Sequence, residues 1–112
     1  MARKKTVTFT KGESYEPRNE REELLAKAFS SLKNADEAAY FLRDLMTPAE
    51  IEEFSNRLEI ARMLMKGTPY LKIANDTGTS TTTVTRVAHW LFSGCGGYYA
   101  VLRRLIRASR PR

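Results

Sequence analysis

The sequence predicts an all-α fold of about six helices, on three observations. Helix starts are marked at Asn34, at Thr47-Pro48-Ala49-Glu50 and at Ser80, where a small polar cap precedes a run of apolar residues. Gly67 and Gly78 stand where the helical period stops, as left-handed terminators do. From Asn19 to the end the chain reads as successive helices, with apolar side chains three and four residues apart.

Taken in order, residues 1–18 mix Thr, Lys, Gly and Pro17 without helical period. Val7 and Phe9 alternate with threonine as in a short strand, but the composition reads better as a flexible basic N-terminal arm. Asn19 or a near neighbour opens the first helix, which gathers Leu24, Leu25, Ala28, Phe29 and Leu32 on one side. Asn34 caps the second, with Glu37 three positions on; its Ala38, Ala39, Phe41, Leu42, Leu45 and Met46 make it apolar almost all round. The capping box at Thr47–Glu50, with proline at the first helical position, opens a third helix to about Lys66. Ile51, Phe54, Leu58, Ala61 and Met65 form one stripe of that helix, and Ile60, Met63 and Leu64 widen it to a second face. Helices apolar on two faces must be buried between neighbours, which one chain of 112 residues struggles to supply; a homodimer is the expected remedy.

Charge is distributed unevenly. The formal net charge is +6, yet residues 1–60 hold ten Lys/Arg against twelve Asp/Glu, whereas residues 61–112 hold nine basic residues against Asp76 alone. Basic charge gathered in one half suggests a surface that faces a polyanion. No apolar run approaches the roughly 20 residues that cross a bilayer, and the charged start lacks the apolar stretch of a secretory leader. Cys95 is the single cysteine and His89 the single histidine. They supply neither an internal disulfide nor a metal-ligand set, and a free thiol fits a reducing cytoplasm; no cofactor and no metal are expected.

The basic half contains the segment most suggestive of function. Thr68-Pro69 predicts a short helix, threonine as cap, carrying Tyr70, Leu71, Ile73 and Ala74 and ending near Gly78. Ser80 then caps a helix with Val84, Val87 and Leu91 at inward positions. A short helix, a glycine turn and a second helix make a helix-turn-helix: Ala74 is small where the helices cross, and Gly78 permits the positive φ of the turn. The outward positions are Thr81, Thr82, Thr85, Arg86 and His89. Threonine offers a hydroxyl to base edges or phosphates and a methyl to thymine, and arginine reads guanine or holds phosphate. The first turn, Thr81-Thr82-Thr83, has no carboxylate, so the positive helix end is left to face an anion. With Ser80 at the cap and Lys72 on the first helix, which reads equally as a phosphate contact or a solvated lysine, these residues are the candidate DNA-binding set.

The segments Leu45-Met46-Thr47-Pro48-Ala49-Glu50, Arg57, Met65-Lys66-Gly67 and Thr83-Val84-Thr85-Arg86 together resemble the Trp repressor superfamily, especially its YerC/YecD branch, with a looser likeness over residues 20–107. The resemblance implies an intertwined homodimer of all-α chains presenting two reading helices to successive major grooves. It divides the chain into the arm, 1–18, and a dimerisation and DNA-binding domain, 19–112. It also implies an effector pocket, since members of the family hold L-tryptophan between two arginines beside a threonine; Thr47, Arg57 and Arg86 match those positions. Where the family has a glycine after the second arginine and a serine three positions further, this chain has Val87 and Trp90. A valine Cβ and an indole occupy space a ligand needs, which implies a regulator working without tryptophan as corepressor. Trp90 has two readings, filling its own chain's slot or packing in the core against Leu91 and the last helix; Arg57 also reads as a plain surface arginine.

Ser93-Gly94-Cys95-Gly96-Gly97 interrupts the helices, and Tyr98, Tyr99, Val101, Leu102, Leu105 and Ile106 pattern a closing helix that Arg103, Arg104, Arg107, Arg110 and Arg112 make basic. The function this predicts is sequence-specific binding of double-stranded DNA at a palindromic operator by a cytoplasmic homodimeric repressor. A protein-interaction adaptor built on the same scaffold, or a regulator requiring an unidentified small molecule, are the alternatives; RNA binding ranks lower because exposed aromatics for base stacking are not evident. Catalysis is not expected from a chain with one histidine, one cysteine and no paired carboxylates.

Overall fold

The computed structural model describes residues 12–109, and among them there are six helices and no strand: α1 (Glu20–Ser30), α2 (Ala35–Leu45), α3 (Pro48–Met65), α4 (Tyr70–Thr77), α5 (Thr81–Ser93) and α6 (Gly97–Ser109). Most of the predicted arm, with Val7 and Phe9, lies outside the described residues. The chain falls into two compact units, one of Tyr15–Asn56, the other of residues 57–109 with 12–14.

In the first unit, each helix begins where its cap dictates. Asn19 Oδ1 accepts the Glu22 N–H at 3.0 Å and Asn34 Oδ1 accepts that of Glu37 at 2.8 Å, each satisfying a donor that the first helical turn leaves open. Thr47 and Glu50 close the capping box reciprocally: the Glu50 N–H donates to Thr47 Oγ1 at 3.1 Å and the Thr47 N–H donates to Glu50 Oε1 at 2.9 Å. Ahead of α1, Arg18 and Tyr15 both donate to the Glu22 carboxylate, at 2.6 Å and 2.7 Å. Phe29 of α1 meets Phe41 of α2 edge to face at 5.7 Å. Neither α1 nor α2 contains a buried residue.

The second unit holds the core. Ile60, Ala61 and Leu64 of α3, Ile73 and Ala74 of α4, Val84, Val87, Ala88 and Leu91 of α5 and Leu102 of α6 form one buried apolar cluster, with Met63, Met65, Tyr98 and Tyr99 against it. Both apolar faces of α3 enter that core at the C-terminal end of the helix, Ala61 and Met65 from one and Ile60, Met63 and Leu64 from the other, while Phe54 and Leu58 remain exposed. The helix stops at Gly67, φ 83°, with the Gly67 N–H on the Leu64 carbonyl and the Thr68 N–H on that of Met63, the paired bonds of a Schellman motif. That arrangement corrects the expectation that Thr68 caps α4. Thr68 closes α3 instead, and Pro69 takes the N-cap position of α4 without any side-chain hydrogen bond. No helix among the described residues is long and apolar enough to cross a membrane.

Candidate nucleic-acid interface

The angle between α4 and α5 is set by a tightly bonded turn. Gly78 adopts φ 69° and ψ 27°, and both its own N–H and that of Thr79 reach the Ala74 carbonyl. The Thr77 hydroxyl donates to the Ile73 carbonyl at 2.7 Å and lies 2.9 Å from that of Thr79. Ser80 Oγ then accepts the Thr83 N–H at 3.1 Å and starts α5. Ile73 and Val84 are fully buried, and Ala74 is buried beside them in the same core. The two helices are thus held by packing on the inside and by hydroxyl and backbone bonds at the corner.

With 3.6 residues per turn, the buried Val84, Val87, Ala88 and Leu91 define the inner side of α5. Thr82 and His89 project almost directly opposite, Thr85 and Arg86 lie to either side of them, and Thr81 stands on the flank; all five are exposed. Among the described residues, the hydroxyls of Thr81, Thr82 and Thr85 and the guanidinium of Arg86 bond to no other group. Ser80 is different, because its hydroxyl is committed to the cap. Lys72 is exposed on α4 and paired with Asp76 at 3.1 Å, a solvent-facing i,i+4 contact.

The electrostatics of this unit are one-sided. In residues 57–109 the carboxylates are Glu59 and Asp76, and each already faces a cation. Arg62 lies 2.6 Å from Glu59 and holds its carboxyl below the usual range. Lys66, Arg86, Arg103, Arg104 and Arg107 add positive charge without a carboxylate contact among the described residues; Arg103 lies over the Tyr99 ring, 5.8 Å from its centroid.

The candidate effector residues fall on α5, on α3 and, for Thr47, in the other unit. Arg86, Val87 and Trp90 share α5, but Val87 is a core residue, 4% exposed, whereas Trp90 is 47% exposed. The indole is therefore not core packing: its edge meets His89 at 5.0 Å between centroids, and its Cε3 lies beside Gly94, 3.2 Å from where a Cβ would stand. Arg57 is exposed on α3, and its charge acts on Tyr98, whose phenol is pushed up by burial against that opposing influence. Thr47 belongs to the other unit, where its hydroxyl is engaged with Glu50.

One feature at the end of α5 has no side-chain signature in the sequence. The Gly94 carbonyl, at the end of α5, accepts the backbone N–H groups of Gly12 and Glu13, each at 3.2 Å. A Cβ on Gly12 would run into the Ser93 carbonyl, so glycine alone allows this close approach.

The Trp repressor protein family matches residues 20–106 of this chain. Its relatives include the uncharacterized protein YerC of Bacillus subtilis (strain 168), 42% identical over 81 residues that cover 72% of this chain and 78% of the relative. Among solved structures, a TrpR-like protein from Eubacterium eligens ATCC 27750 is similar with a TM-score of 0.74 at 40% identity, covering 85% of this chain and 96% of that one. A candidate Trp repressor from Staphylococcus aureus is similar with a TM-score of 0.73 at 35% identity, covering 80% and 89%.

Proposed function

This chain belongs to the Trp repressor family, and on that premise we propose that it is a cytoplasmic regulator of transcription, a repressor that binds double-stranded DNA through its helix-turn-helix. The observation that carries this reading is the outer face of α5. Thr82, Thr85, Arg86 and His89 are exposed together on a helix whose inner side is fixed in the core, and they contribute nothing to that core. Threonine is also a poor helix former, so a run of them is best accounted for by use outside the fold. Lys72 and the surplus positive charge of the same unit suit the phosphate backbone.

The regulator acts as a homodimer in this reading. Leu24, Leu25, Phe29, Tyr40 and Leu45 are exposed on α1 and α2, which bury no residue of their own. Large apolar side chains exposed in this number favour association. A two-fold dimer reads a palindromic operator with half-sites about 34 Å apart or a multiple of it. The regulator works without tryptophan as corepressor: Val87 belongs to the core, and the Trp90 indole stands on the same helix as Arg86.

Selection from a random duplex-DNA pool on purified protein, with no metabolite added, tests the proposal. An enriched palindrome supports a dimeric reader that needs no corepressor. Enrichment only after L-tryptophan is added removes the corepressor-free part, and no enrichment under either condition removes DNA as the partner.

A further inference from the structure

We infer that α5 reads thymine, with the methyl groups of Thr82 and Thr85 seated against thymine C5-methyls and Arg86 on a neighbouring guanine. This inference rests on the DNA-binding reading above and adds to it the base class of the half-site.

Three observations lead there. First, of the five residues that open α5, Thr81 to Thr85, four are threonine, and only Thr83 is used by the fold, its N–H and hydroxyl both lying on Ser80 Oγ. Second, a helical threonine can fold its hydroxyl back onto the carbonyl four residues earlier, as Thr77 does onto Ile73 at 2.7 Å. Thr85 makes no such bond to Thr81, and Thr82 makes none to any described group, so both ends of each side chain are presented outward. Third, Thr82 and Thr85 are three residues apart on the side of α5 away from the buried Val84, Val87 and Leu91. Side chains at that spacing are neighbours about 5–6 Å apart, close enough to address adjacent base pairs.

The chemistry selects among the bases. In the major groove thymine presents an acceptor, O4, beside a methyl group, and no other base presents that pair. A threonine matches both features at once, its hydroxyl donating to O4 and its methyl lying on the C5-methyl. Serine would supply the hydroxyl alone. Arg86, on the flank next to Thr82, brings the forked donor that suits guanine O6 and N7.

The test uses the full chain and the site enriched from the duplex pool. Each thymine of the half-site is replaced in turn by deoxyuridine, which deletes only the C5-methyl, and binding is compared for the wild type, Thr82→Ser and Thr85→Ser. The serine variants keep the hydroxyl and are exposed, and an unchanged melting temperature confirms their folding. The expected result is a loss of about fourfold at one thymine per threonine in the wild type, the worth of one buried methyl-sized group, and no loss at that thymine in the matching serine variant. Deoxyuridine that is neutral at every position, or that costs the same in wild type and both variants, overturns the inference while leaving DNA binding intact. A pool that yields no site overturns the DNA-binding reading itself and the thymine inference with it.

Discussion

The Gly12 N–H donates to the Gly94 carbonyl at 3.2 Å, joining the start of the described chain to the C-terminal end of α5. Helix ends leave carbonyls without partners, and here Gly12 and Glu13 supply the donors from 82 and 81 residues away. The two glycines should respond differently to a methyl group. On Gly94 it would press on the Trp90 carbonyl and the indole, both held by α5, so Gly94→Ala is expected to cost about 1–3 kcal/mol in chemical denaturation. On Gly12 it would meet the Ser93 carbonyl, but the segment that carries it can lift away. The cost of Gly12→Ala is then bounded by two hydrogen bonds of about 0.5–1.5 kcal/mol each, with faster amide exchange at Gly12 and Glu13 as the signature. Equal stability of Gly94→Ala and wild type would show that the turn yields.

That clasp also marks where legibility in the sequence ends. Asn19, Asn34, Thr47, Gly67, Gly78 and Ser80 act within four residues of themselves, so local chemistry sufficed to place the helix ends they control. The inner and outer sides of α5 were equally readable, because Val84, Val87 and Leu91 carry the helical period. The bond to Gly94 uses backbone groups that every residue has, and no pattern announces it. Thr68 misled for a related reason: threonine before proline is a cap signal, but the left-handed Gly67 claimed its N–H for the end of α3. Trp90 has two readings in the sequence, its own chain's slot or the core, and the half-exposed indole beside His89 and Gly94 removes only the second.

The carboxylate of Glu22 should titrate far below its neighbours. The Arg18 guanidinium first, and then the Tyr15 hydroxyl, hold it down to about 2 from the ordinary 4.5. A folded value below the unfolded one means that the contribution to stability is complete above pH 4.5 and is lost as pH falls toward 2. Following the Glu22 side chain by NMR should give a midpoint near 2 in the wild type and a clear rise in Arg18→Ala. A midpoint of 4.5 in both proteins would mean that the cluster does not persist in solution.

Arg86 and Lys72 should separate base reading from phosphate holding. Arg86 has no partner among the described residues, so Arg86→Ala should leave stability within about 0.5 kcal/mol and weaken operator binding by about 1–3 kcal/mol, relaxing preference at one position. Lys72 is paired with Asp76, but an exposed i,i+4 pair is worth only about 0.3–0.5 kcal/mol and yields readily to a phosphate. Lys72→Ala should therefore weaken all sequences alike and reduce the salt slope by about one. Titrations of both variants across a range of salt concentration check this; identical losses on specific and random duplexes for Arg86→Ala would demote it to a phosphate contact.

Leu24 offers the sharpest test of the dimer because its two readings differ widely in magnitude. It is 68% exposed on α1, a helix with no buried residue. Were that surface solvated in the working protein, Leu24→Glu would be a surface change within about 0.5 kcal/mol. Against the apolar face of a second copy, the same carboxylate would be buried without a cation, at a cost of several kcal/mol for an unpaired charge. The expected outcome is a wild type that sediments as a dimer, with a melting temperature that rises with protein concentration. Leu24→Glu should sediment as a monomer and melt lower. If the wild type sediments as a monomer at every concentration and Leu24→Glu melts with it, the exposed faces of α1 and α2 have some other partner, and a palindromic operator loses its physical basis.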